Sequence, residues 1–180
     1  MASPQLTLEQ VKQLSGAVAH YIVSQREAFL PTSFPLTLEQ RGVMEGFFVP
    51  EALDGNMLVV LQNSRVQNPD FYPKLWQFGF RNLPDFGPMA GITFGDIVLA
   101  HQPFTHGLLF HELVHVEQYR QLGIPQFSTL YVRGFLTGGG YEGIPLERNA
   151  YGLGARFEAN PRQRFSVADE VSEWARNGRF

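Results

Sequence analysis

The sequence predicts an α+β fold in which a small sheet packs on a central helix, with further helices around it. Three observations carry that expectation. Helical periodicity dominates residues 5–50 and again everything after about residue 105. Between them, residues 54–104 hold short apolar runs bounded by Gly, Pro and Asp, the texture of strands and turns. No linker-like change of composition separates these blocks, so residues 1–180 read as one domain with a helical start (1–50), a sheet (54–104) and a helical end (105–180).

The first helix is marked by Thr7 and Gln10, a capping box, followed by Leu8, Val11, Leu14, Val18 and Ile22 at helical spacing. It should stop near Phe29 or Leu30, ahead of Pro31 and Pro35. The same letters, TLEQ, recur at 37–40 and predict a second, shorter helix running through Phe47. Their flanks do not match, so these are two caps and not a repeat. Asp54-Gly55 signals a turn, and Met57–Leu61 reads as a buried strand. Lys74–Phe80 and Ile92–Ala100 are further strand candidates across a loop containing Pro84, Gly87, Pro88 and Gly91. Helices are expected near 106–122, 125–136, 145–159 and 167–176, the third with Pro145 in its first turn.

Composition removes several mechanisms at once. The 180 residues contain no cysteine, which excludes disulfides, thiolate nucleophiles, iron–sulfur clusters and Cys-ligated zinc. Any metal must be held by His, Asp and Glu. The 14 basic residues against 17 acidic ones form no dense run, which argues against nucleic acid as a partner. No apolar run is long enough to span a membrane. The segment MASPQLTLEQVKQ lacks the basic and apolar regions of a signal peptide, so a cytoplasmic location is the expectation.

The chemistry concentrates in GLLFHELVHVEQYRQLG, where His111, Glu112 and His115 form HExxH. Residues i and i+4 share a helix face, so both imidazoles can reach one tetrahedral metal, and Glu112 can act as general base toward a metal-bound water. About one sequence in a hundred of this composition carries the pattern by chance, so context decides. Leu108, Leu109, Phe110, Leu113, Val114 and Val116 make the helix apolar, and burying two imidazoles and a carboxylate there requires partners. The bland alternative is a pair of core histidines satisfied by hydrogen bonds.

A third ligand is needed. Gln121 occupies the position, six after His115, where a metzincin has its third histidine, which excludes that class. Glu147, 32 residues after His115, and Glu142 are the candidates; Glu147 is preferred because a helix holds a ligand more rigidly than a Gly-rich loop. Over roughly 92–158, at His111, Glu112, His115, Gln118 and Glu147, the chain resembles small bacterial gluzincins, the HExxHxxQ branch of the zincin metallopeptidases with a downstream Glu-bearing helix. The resemblance implies a zincin-like fold, zinc held by His111, His115 and Glu147, and peptide or protein substrates. The chain departs from the family one helical turn after the ligand glutamate. Ala150 and Tyr151 stand where many members have an acidic residue, so a ligand histidine must be oriented from elsewhere.

Other residues remain open. Gln118 either lines the pocket or binds a ligand carbonyl there, or else is buried and caps a neighbouring loop. Tyr141, Arg148 and Tyr151 are candidates to stabilise an oxyanion, and Tyr151 is taken as the catalytic one. His101 and His106 flank the metal helix as candidate proton donors, with surface histidines the blander reading. By resemblance, Ile92–Ala100 is the strand that binds substrate backbone. Gly138–Gly143 satisfies GxGxxG, but position 163 is Gln and no βαβ unit precedes it, so a flexible loop is expected in place of a nucleotide site. The expected function is zinc-dependent peptide hydrolysis. The alternative is a non-catalytic metal-binding scaffold with a relict fold. His₂Glu suits zinc best, although other divalent ions accept the same donors.

Overall fold

The computed structural model describes residues 5–178. The two ends of the 1–180 domain span, and the first four residues of the N-terminal stretch read for a signal peptide, lie outside the described residues. The architecture is α+β, mostly helical with one four-stranded sheet. Helix α1 (Leu8–Phe29) starts at a complete Thr7/Gln10 capping box. Helix α2 (Leu38–Met44) starts at the Thr37/Gln40 box but ends short of Phe47. Gly46 adopts φ 82°, which turns the chain and releases Phe47 and Phe48 into the core. Helix α3 (Pro50–Asp54) is a single short turn before the sheet.

Strands β1 (Phe34–Pro35), β2 (Met57–Val60), β3 (Gly91–Phe94) and β4 (Ile97–Ala100) lie in the order β1-β2-β4-β3. The central β2–β4 pair is parallel and the β3–β4 pair antiparallel. Strand β4 is buried along its whole length, which is why it reads as the unbroken apolar run IVLA. The single strand expected over Ile92–Ala100 is therefore a hairpin. Gly95, at φ 69°, begins the two-residue turn, where a positive φ matches the twist of the flanking strands. Asp96 in that turn is anchored to α1 by Arg26, with contacts of 2.5 and 2.8 Å.

The strand expected over Lys74–Phe80 is instead helix α4 (Tyr72–Gln77). Pro73 sets the first turn, Gly79 at φ 93° ends it, and Tyr72 and Phe80 enter the core. The alternation in KLWQFGF is misleading, because Trp76 and Phe78 are exposed.

Helix α5 (His106–Thr137) contains a break at Gly123, whose φ of 72° and ψ of 158° are not helical, so the two expected helices meet end to end. Helices α6 (Pro145–Ala159) and α7 (Val167–Arg176) complete the fold. The first half of α5 lies between the sheet, α1 and α6 and is buried from Glu112 to Tyr119. Among the described residues, no helix is long and apolar enough to cross a membrane.

Candidate metal centre

Three side chains converge where α5 crosses α6. Thr105 caps α5 by accepting the Leu108 N–H, which sets the phase of the helix and points His111 and His115 to one side. Helix α6 opens with Pro145, placing Glu147 in its first turn, where the helix dipole favours a carboxylate. The Gly-rich segment between the helices makes this return possible. A Cβ on Gly138 would come within 2.5 Å of the Gly143 carbonyl oxygen, so only glycine permits this backbone-on-backbone turn. The GxGxxG pattern is thus a packed αα connection. It follows a helix, with no strand before it.

The geometry is close. His111 Nε2 and His115 Nε2 lie 3.2 Å apart, and Glu147 Oε2 lies 3.3 Å from His115 Nε2 and 3.6 Å from His111 Nε2. Tetrahedral zinc, with ligand bonds of about 2.0–2.2 Å, separates its donors by about 3.3–3.5 Å. The three distances match that edge. Glu147 Oε2 is also buried and makes no well-formed hydrogen bond, having only these ion-pair contacts with the two imidazoles, which a buried carboxylate oxygen tolerates poorly. The triangle and the unsatisfied oxygen together mark a site where a metal ion fits. Glu142, the competing ligand, is exposed and outside this group.

Comparison with protein-family models, curated proteins and solved structures finds no match. The site therefore has to be read from its own chemistry.

Electrostatics bind the group together. Burial disfavours the charge on His115, but the neighbouring Glu147 outweighs it and holds the imidazole up at about 9. Burial also opposes the Glu147 charge, and the two histidines overcome that, leaving the carboxyl well below its ordinary range. Glu112 is raised, because burial outweighs the favourable histidines and the Thr93 hydrogen bond. Its Oε2 accepts the Thr93 hydroxyl at 2.7 Å. Its Oε1 lies against Gly91, where a Cβ would approach within 2.6 Å.

The orienting group that the chain lacks after Glu147 is Gln118. Its amide nitrogen donates to the Leu146 carbonyl at 3.0 Å and to Asn149 Oδ1 at 2.9 Å. Its oxygen must then face His115 Nδ1, at 2.9 Å, and that ring nitrogen carries a proton. The His115 Nε2 is thereby presented to the metal side. Gln118 ties the HExxH helix to the Glu147 helix, so it orients the His115 ring and braces a neighbouring backbone at once.

The remaining candidates separate clearly. Tyr151 is exposed and lies over His111, with ring centres 4.5 Å apart, on the wall of a cleft of about 540 Å³. Tyr141 lines the same cleft and faces Glu147, whose charge adds to burial in raising the phenol. Arg148 is exposed and lines no part of the cleft, and His106 pairs with Glu39 at 3.9 Å, away from the metal group. His101 contacts the Met89 carbonyl at 2.5 Å through Nδ1 and steadies the loop that leads into β3. Thr93, Gly91 and Asn149 were not singled out by the sequence. The one local signal was Thr93, a hydroxyl between two apolar strand residues.

Proposed function

We propose that this protein is a zinc-dependent metallopeptidase with a zincin-like fold, in which His111, His115 and Glu147 hold the metal. The matching triangle of donors with its unsatisfied Glu147 oxygen carries this reading. Zinc held there supplies Lewis acidity toward a carbonyl oxygen and lowers the pKa of a water.

Glu112 supplies the general base. It lines the cavities beside both histidines, its carboxylate is fixed by Thr93, and its pKa is raised toward the working range of a proton shuttle. It takes the proton from water and delivers it to the leaving amine. The Tyr151 phenol, at the cleft wall beside His111, donates to the carbonyl oxygen as that oxygen gains charge.

Strand β3 is the edge of the sheet. The Ala90 carbonyl pairs with His101 N–H, so by alternation the backbone groups of Gly91 and Thr93 face outward. Thr93's carbonyl accepts Tyr119 at 3.4 Å, which leaves Gly91, beside Glu112, to pair with an extended substrate backbone.

The test is Glu112→Gln. Stoichiometric zinc by elemental analysis should be retained, while cleavage of a broad peptide mixture falls about 10²–10⁴-fold. Undiminished turnover in the variant removes Glu112 from the mechanism.

A further inference from the structure

Beside the metal group lies a second space that the hydrolytic chemistry does not use. A cavity of about 70 Å³ opens where Met89, Gly91, Glu112 and Tyr141 meet, four residues that also line the larger cleft. Its mouth carries the reacting groups Glu112, His115 and Glu147, and its depth is apolar: Val18 and Ile22 of α1, Phe86, Ile92, Tyr119 and Phe127. Successive residues of β3 line it, those facing one side of the sheet as well as those facing the other. The cavity therefore runs along the strand's outer edge and not over one face. Helix α1 closes its far end, where Tyr21 meets Phe94 edge-on at 5.7 Å.

The deep wall offers little to a polar group. The Tyr21 and Tyr119 hydroxyls donate to the backbone carbonyls of Gln67 and Thr93. Tyr131 lines the same wall, so a charged side chain pushed past the mouth would exchange its hydration for one phenol and meet no opposite charge. Size then narrows the choice. Each water-sized group takes about 10–15 Å³ by this measure, so the cavity admits about five to seven such groups. A leucine, isoleucine or methionine side chain fits, whereas an indole does not.

Resting on the peptidase reading, we propose that this cavity is the specificity pocket. It takes the aliphatic side chain of the substrate residue seated beside Glu112 at the cavity mouth, and α1 with Phe86 sets the size limit. The enzyme is accordingly selective for medium-sized aliphatic residues at one fixed position beside the cut bond.

The test has two arms, so that the pocket and the chemistry can fail separately. In the first, zinc-loaded protein is titrated with N-acetyl-leucinamide, N-acetyl-lysinamide and N-acetyl-tryptophanamide while the Val18, Ile22 and Ile92 methyl resonances are followed by NMR. Leucinamide should bind about tenfold more tightly than the other two. Val18→Phe, at a half-buried position, should abolish its shifts by filling the space. Phe86→Ala should enlarge the space and bring tryptophanamide binding up about tenfold. Equal binding of all three probes, or leucinamide shifts that persist in Val18→Phe and stay unchanged in Phe86→Ala, overturns the pocket. In the second arm, a randomised peptide mixture is cleaved and the residues flanking the cut are read. An aliphatic preference that Phe86→Ala widens to aromatic residues supports the proposal. Hydrolysis with no side-chain preference overturns the pocket and leaves the peptidase standing. Selective probe binding with no hydrolysis of any peptide leaves the pocket and removes the peptidase.

Discussion

Helix α5 is flanked by two cores built from different residues. On one side, Phe47, Phe110, Phe157 and Phe165 pack ring against ring, with Phe110 and Phe157 stacked at 4.4 Å. Arg156 and Arg164 cover the outer rings of this cluster at 4.0 and 4.5 Å. On the other side, tyrosines join the phenylalanines. Tyr21 and Tyr119 stand with Phe94 and Phe127 around the cavity that opens on the metal group. Phenylalanine needs no polar partner and fills space completely. Tyrosine brings a hydroxyl that must be satisfied, and here it fixes ring positions around a gap. One core is filled, and the other leaves a cavity beside His115 and Glu147.

That contrast is tested first by deletion on the filled side. Phe110→Ala should cost about 3–5 kcal/mol, read as a lowered midpoint in chemical denaturation. Zinc stoichiometry in the folded fraction should be unchanged. Loss of the metal alongside stability would show that the two sides are not separable.

Gln118→Leu, on the opposite side, should preserve packing volume but free the His115 ring, lowering zinc affinity about 10–100-fold in a chelator competition. It should also remove the Gln118 donor from Asn149 Oδ1 and leave the Leu146 carbonyl with its helical bond alone, at about 0.5–1.5 kcal/mol of stability. An unchanged zinc affinity would mean that Gln118 only braces α6.

A smaller effect concerns pH in the metal-free protein. His115 is raised from 6.5 to about 9, so its stabilising pairing is fully present below pH 6.5 and is lost as pH climbs through 9. Glu147 is depressed, so its contribution is present above pH 4.5 and is lost only in stronger acid. The melting temperature without metal should therefore fall between pH 6.5 and 9. Zinc should remove that alkaline fall, since the metal takes the deprotonated imidazole. The smallest effect is expected for Tyr119→Phe, which removes a long 3.4 Å bond to Thr93 and should cost about 0.5–1.5 kcal/mol without changing zinc content.

The α+β class and the helix starts were legible because their signals are local. Thr7/Gln10, Thr37/Gln40 and Pro145 each act within one turn of where they sit in the chain. Lys74–Phe80 misled because alternation can arise by accident in a short segment, while Pro73 and Gly79 decide its backbone. The hairpin at Gly95 carries a local signal as well, Gly95-Asp96 between two short apolar runs, which a single strand over Ile92–Ala100 overrides. In the site, HExxH is readable because both histidines lie on one helix. Thr93 and Asn149 acquire their roles only through packing, across 19 and 31 residues respectively from Glu112 and Gln118. Gln118 carried two competing readings in the sequence, pocket lining and loop capping; it is instead fully buried behind His115 and joins α5 to α6 through Leu146 and Asn149.

The central claim is that His111, His115 and Glu147 form one metal site. Crystals of the zinc-loaded protein measured on both sides of the zinc absorption edge test it most directly. The account predicts a single anomalous peak among His111 Nε2, His115 Nε2 and a Glu147 oxygen. A peak elsewhere, or zinc-loaded crystals in which these three donors stay unmetallated, would contradict it.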